Sequence, residues 1–138
     1  MTRRKHIPSL RSDRGQAAVE FALVAPVLIV LLLGIVQGGI AFNHYLAVTD
    51  AARAGARKAI VARFDGTTVT DVQQVVQSAA GGLDPAKLHV AVSDLTDPTF
   101  TTAGSTLTVT VTYPYSIRLL GWVVASGDLT STMTDRLE

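Results

Sequence analysis

The chain of 138 residues contains no cysteine, so neither a disulfide nor a thiolate metal site can brace it. A small body without disulfides must find its stability in packing on a neighbouring element or in assembly. The signatures of the common catalytic machines are missing as well: there is no G-x-S-x-G, no H-E-x-x-H, no P-loop and no G-x-G-x-x-G. His6, His44 and His89 are scattered, and no two of them have metal-ligand spacing. Acidic residues such as Asp65, Asp84, Asp97 and Asp128 fall in turn-like stretches, where local hydrogen bonding explains them. These absences argue against an enzyme and leave no expected metal or cofactor. Internal repeats and low-complexity segments are also lacking.

Charge is missing where it matters most. Residues 21–42 carry no formal charge, and Gln37 is their one strongly polar member. As a helix this run of 22 residues measures about 33 Å, against about 30 Å for a bilayer's hydrocarbon core. Pro26 near its start loosens one turn, which a membrane helix tolerates when the freed carbonyl finds another partner. The mean hydropathy of +0.34 is high for a small soluble protein and agrees with an inserted segment.

The formal net charge of +1 is unevenly spread. Arg3, Arg4, Lys5, Arg11 and Arg14 face only Asp13 ahead of Gln16, an excess of +4, whereas the remainder carries −3. A short basic excess abutting an apolar run is a topology signal rather than a nucleic-acid footprint. It predicts a single-pass protein of the cytoplasmic membrane, N-terminus inside and C-terminal part outside.

Beyond residue 42 the helical pattern continues. "NHYLAVTDAARAGARKAIVARF" has no proline and is dominated by alanine, the strongest helix former. The expected organisation is a basic leader over 1–15, one long helix over 16–63 with its membrane span near 21–42, and an extracytoplasmic domain over 64–138. On the outer half of the helix, Asp50, Arg53 and Arg57 are expected on a solvated or subunit-facing side, and Ala52, Ala56 and Ala59 against a sheet. "FDGTT" ends the helix. "TDVQQVVQSAAGG" predicts a short helix, with a capping box from Thr70 to Gln73 and a stop at Gly81–Gly82. "KLHVAVSDL" and "STLTVTVTY" alternate as half-buried strands joined by a long loop, and "DLTSTMTDRLE" alternates more weakly, as an edge strand does. The fold class is α+β: a long N-terminal transmembrane and amphipathic helix, a short helix and a small antiparallel sheet.

One carboxylate stands out. Glu20 lies at the mouth of the apolar run, five residues after Gly15, in "RGQAAVEFALVAPVLIVLLLGIV". Ordinary helix-end electrostatics accommodates a carboxylate there. A sharper reading takes Gly15 and Glu20 together as G-x-x-x-x-E, following a basic leader and preceding a hydrophobic helix. With "AARAGARKA" and, more loosely, the closing "MTDRLE", the sequence resembles the TadE-like family of tight-adherence (Flp-type) pilus proteins, small pseudopilins that accompany the major pilin.

The resemblance implies a pilin-like fold and cleavage by a prepilin peptidase between Gly15 and Gln16. It implies that Glu20 meets the new amino terminus of an adjacent subunit and sets register during assembly. Other pilin and pseudopilin subunits, the tight-adherence assembly machinery and membrane lipid are the implied partners, with roles in adhesion and secretion and a place in the membrane or the surface pilus. Gln16 is a departure with a consequence: an N-terminal glutamine that cyclises loses its charge and the pair with it. Gly34 and Gly38, with Gly39, form a G-x-x-x-G that permits close helix packing.

The apolar stretch over 115–125 is too short to span a bilayer. Its simplest reading is a loop folded onto the sheet as core. The alternatives are an exposed subunit contact through Leu119, Leu120, Trp122 and Val123, or a membrane touch anchored by Trp122. Two rival functions remain open: an unprocessed single-pass protein whose outer domain binds a ligand or partner, and a domain released by signal peptidase ahead of Phe42.

Overall fold

A computed structural model of the chain describes residues 12–61, 64, 66–94 and 104–136. The basic residues Arg3, Arg4, Lys5 and Arg11 and the loop over 95–103 lie outside them. The chain divides into two compact units, residues 1–36 and 37–138.

Helix α1, Ser12–Ile60, is a single helix of 49 residues. Alanine and leucine favour it throughout, and Pro26 removes one donor without ending it. In the first unit the helix buries none of its large apolar side chains: Phe21, Leu23 and Ile35 are each at least 70% exposed. An unbroken apolar surface of this length is not stable against water. It fits a single-pass membrane protein, since a helix satisfies its own backbone in lipid.

In the second unit, residues 37–60 of α1 are followed by α2 (Val69–Ala79), a 3-10 turn (Pro85–Lys87) and strands β1 (His89–Asp94), β2 (Thr106–Leu119) and β3 (Trp122–Arg136). The strands form an antiparallel sheet in the order β1-β2-β3. The predicted α+β architecture is therefore the observed one.

Period-two alternation sets the faces of β2. Leu107, Val109, Val111 and Tyr113 are buried, and the threonines between them face the other way. Those threonines pair across to β3 with Oγ1–Oγ1 distances of 3.3 Å (Thr108–Thr134), 3.2 Å (Thr110–Thr132) and 3.4 Å (Thr112–Thr130). Such pairs fix the register of the two strands.

The core joins this face to Val72 and Val76 of α2 and to Val48, Ala51, Ala52, Ala56 and Ala59 of α1. As the periodicity predicts, Ala52, Ala56 and Ala59 are buried while Asp50, Arg53 and Arg57 are exposed. Gly55 is a point of close approach. A β-carbon there would collide with Val76 Cγ2 and come within 3.2 Å of Val109 Cγ1.

Two expectations need correction. The box that caps α2 is Thr68 with Asp71, not Thr70 with Gln73. Thr68 has extended backbone (φ −98°, ψ 165°). Its N–H donates to Asp71 Oδ2 at 2.8 Å, and its Oγ1 accepts from Asp71 N–H at 3.3 Å. Aspartate at the third helical position closes the box and complements the positive helix end, leaving Thr70 already inside the helix.

Residues 115–125 are not a core loop. They are the distal half of a β2–β3 hairpin, and Leu120, Trp122, Val123 and Val124 are exposed. The physical reason lies in pairing: β1 reaches only as far as Thr112, so beyond it β2 and β3 continue as a two-stranded ribbon. Pro114 fits there, since β2 has become an edge on one side. Tyr115 covers Gly127, where a β-carbon would sit 3.2 Å from Tyr115 Cε1.

The hairpin turns at Leu120 (φ 51°) and Gly121 (φ 89°), the two positive φ values of a type I′ turn. Glycine accepts this conformation freely. A leucine in the left-handed region costs about 1–2 kcal/mol, and asparagine is the usual occupant.

Two outcomes are expected in thermal unfolding of the detergent-solubilised chain. Gly55→Leu loses about 1–3 kcal/mol through overpacking, and shrinking its neighbour in Gly55→Ala/Val76→Ala relieves the collision relative to Gly55→Ala alone. Leu120→Asn gains about 1 kcal/mol by releasing the turn's strain. Unchanged stability of Gly55→Leu would show that the helix is not docked at this point.

Candidate functional site

At the start of α1, Gln16 Nε2 donates a hydrogen bond of 3.0 Å to Glu20 Oε1. The i, i+4 spacing brings the two side chains together on one exposed helix face. Gly15 precedes them by one residue and is itself exposed. A β-carbon at Gly15 would touch nothing within 4 Å, and its φ is not left-handed. Neither packing nor backbone geometry therefore requires glycine here, and in a helix interior it costs about 0.5–1 kcal/mol relative to alanine. What glycine does supply is a local weak point, where the helical peptide can open to an extended form.

Further along the helix, a β-carbon at Gly34 or Gly38 would likewise meet nothing within 4 Å. Pro26, Val27, Val30 and Leu31 line a shallow apolar hollow near the helix's proline.

In the second unit, the inner face of the ribbon lies along the first turns of that unit's helix. Gln37, Ile40 and His44 face Lys87, Tyr115 and Ile117 across an open cavity of about 170 Å³. His44 meets Tyr113 edge-on, with ring centroids 5.6 Å apart and planes at 76°. Tyr113 Oη also accepts a long hydrogen bond of 3.5 Å from the Asp84 N–H. Sequence reasoning placed Tyr113 only at the end of a half-buried strand and His44 only among scattered histidines. Nothing local links two residues so far apart in the chain, and only the fold brings them together.

The four residues singled out at the apolar stretch do gather at one place. Leu119 is half-buried and pairs with Trp122 across the turn, Leu120 is 73% and Trp122 80% exposed, and Val123 pairs with Arg118. An irregularity in register at Ile117/Arg118 leaves Val124 without an opposite residue, so the ribbon's last residues are re-aimed. Sequence reasoning missed Arg118, which lies in the middle of this patch.

Among the described residues no group of three or more histidines and carboxylates is placed to hold a metal ion. The chemistry on offer is that of contact: a carboxylate at a helix mouth, close-approach glycines and an apolar hairpin tip.

Neither a curated protein nor a solved structure matches the chain significantly. A family model does: residues 15–57 match that of the TadE-like protein family. The match begins at Gly15, takes in Glu20, Pro26 and the whole apolar run, and ends within the docked half of α1. The segment that carries the Gly15–Glu20 spacing and the apolar run is TadE-like.

Proposed function

We propose that this chain is a minor pilin-like (pseudopilin) component of a tight-adherence pilus and secretion system, structural rather than catalytic. The observation that carries this reading is the family match beginning at Gly15, with Glu20 held at the entrance to an exposed apolar helix.

A prepilin peptidase hydrolyses the peptide bond between Gly15 and Gln16, releasing the basic leader and leaving the α-amine of Gln16 as the new terminus. The glycine supports such a step because α1 is intrinsically weak and unobstructed at this position. Glu20 then serves as the acceptor for a neighbouring subunit's terminal ammonium. As apolar helices pack side by side, each charge offsets the other's desolvation, and a subunit out of register leaves both unpaired. The Gln16 amide that Glu20 holds in the uncut chain is a neutral partner, easily displaced by a cation.

The mature protein is thus a single-pass subunit with its sheet domain outside the cytoplasmic membrane, working with other pilin subunits and the assembly machinery in adhesion.

Replacing Gly15 with alanine or a bulkier residue is expected to block maturation, seen on immunoblots as a persistent slower band. N-terminal sequencing of the wild-type membrane-extracted protein should begin at Gln16; maturation of Gly15→Ala at the normal rate to that terminus rules out this processing site. Glu20→Gln should be cut and inserted normally yet fail to assemble in a pilus-producing strain lacking the native copy. Normal surface filaments from this variant would reduce Glu20 to an ordinary helix-end carboxylate. Mass spectrometry of the mature chain should find the free amine, about 17 Da heavier than the cyclised form, because a lactam has no ammonium to pair.

A further inference from the structure

The β2–β3 ribbon runs in a definite direction. Val109 lies against the site of Gly55, Tyr113 against His44, and Tyr115 and Ile117 across the cavity from Gln37 and Ile40. Along β2, the contacts on α1 therefore step steadily back toward lower residue numbers. Gln37 and Ile40 belong to the last turns of the apolar run over 21–42. Ile117 is thus already at the depth where that run ends. The turn residue Leu120 lies three positions further on, a distance of about 10 Å in an extended strand.

What sits at that end is unlike the rest of the ribbon. Between Pro114 and Gly127 the one formally charged residue is Arg118. Around it are Leu120, Trp122, Val123 and Val124, all more than half exposed. A two-stranded ribbon with no third strand is at best marginal in water, and an apolar tip on it makes matters worse. The turn itself keeps a leucine in a left-handed conformation where asparagine is the easier choice. Strain retained at an exposed position points to a role for the side chain.

We propose that the hairpin tip, residues 117–124, is a second membrane contact, entering the interfacial layer of the leaflet on its own side of the bilayer that α1 crosses. Leu120 and the valines enter the upper acyl region. Trp122 lies at the headgroup level, where an amphipathic ring is favoured, and Arg118 meets anionic lipid phosphates. The sheet domain is then held at two points, by its helix and by its hairpin. The proposal rests on the single-pass membrane reading but not on cleavage at Gly15 or on pilus assembly.

Trp122 is the one tryptophan in the chain, so its emission reports on the tip alone. The full-length protein is reconstituted into vesicles of phosphatidylcholine and phosphatidylglycerol, with and without lipids brominated along the acyl chain. The expected result is a blue-shifted emission, strong quenching by the brominated lipids and weak quenching by aqueous acrylamide. Arg118→Glu and Leu120→Asn, checked for unchanged circular dichroism, should each shift the emission back toward the red and lose most of the bromolipid quenching. A chain that floats with the vesicles while acrylamide quenches Trp122 freely and brominated lipid does not overturns the tip contact alone. Blue-shifted emission insensitive to brominated lipid places the tip against protein, in a second copy, and overturns it equally. A chain that fails to float with the vesicles overturns both the membrane anchor and the tip contact.

Discussion

Everything in the sheet domain depends on how closely α1 can approach β2 and α2. With no disulfide and few large side chains, the domain is held by contact between a helix face made of Ala51, Ala52, Gly55, Ala56 and Ala59 and the valines of its neighbours. Small residues bury little area each. Their value is that they let the backbones come near enough for Val76 and Val109 to reach the helix surface, where dispersion and exclusion of water act together. The same helix also carries the run that fits a membrane span, so one element meets two opposed demands. It is apolar all round over that run, and apolar on one side with small residues where it supports a sheet.

Much of this was legible beforehand because the signals are local and periodic. The apolar run, the alanine-rich continuation and the alternation of Leu107, Val109, Val111 and Tyr113 with threonines each identify their element without knowledge of the others. Thr70 and Gln73 fit the sequence pattern of a capping box, but the extended backbone lies at Thr68, and that sets the box two residues earlier, with Asp71. The stretch over 115–125 was harder to read. Its hydrophobicity matches a core segment, and what makes it an exposed ribbon is the length of β1, which ends its pairing at Thr112. That is a property of another strand and leaves no mark in residues 115–125 themselves.

The candidate site divides in the same way. Gly15, Gln16 and Glu20 stand out together in the sequence because they lie within one and a half turns of one helix. The strain at Leu120 and the His44–Tyr113 contact do not, since a turn type and a long-range ring contact exist only in three dimensions. Arg118 was hidden by its neighbours: a single charge inside an apolar stretch looks like an interruption until the hairpin places it at a tip.

The contact between Gly55 and Val109 also fixes an order of events. The helix face that carries Gly55 leaves the ribosome well before the strand that covers it, since Val109 lies 54 positions further along the chain. At about 5–20 residues per second, that gap is roughly 3–11 s of synthesis. During this interval α1 can form alone, because its hydrogen bonds are local, but its alanine face has nothing to pack on. Closing the core then requires contacts of long sequence separation, the kind that makes folding slow. The nascent domain therefore emerges with its helix formed and its interior open. The small side chains that make the finished core so tight also make this waiting surface only weakly sticky, which protects it until β2 arrives.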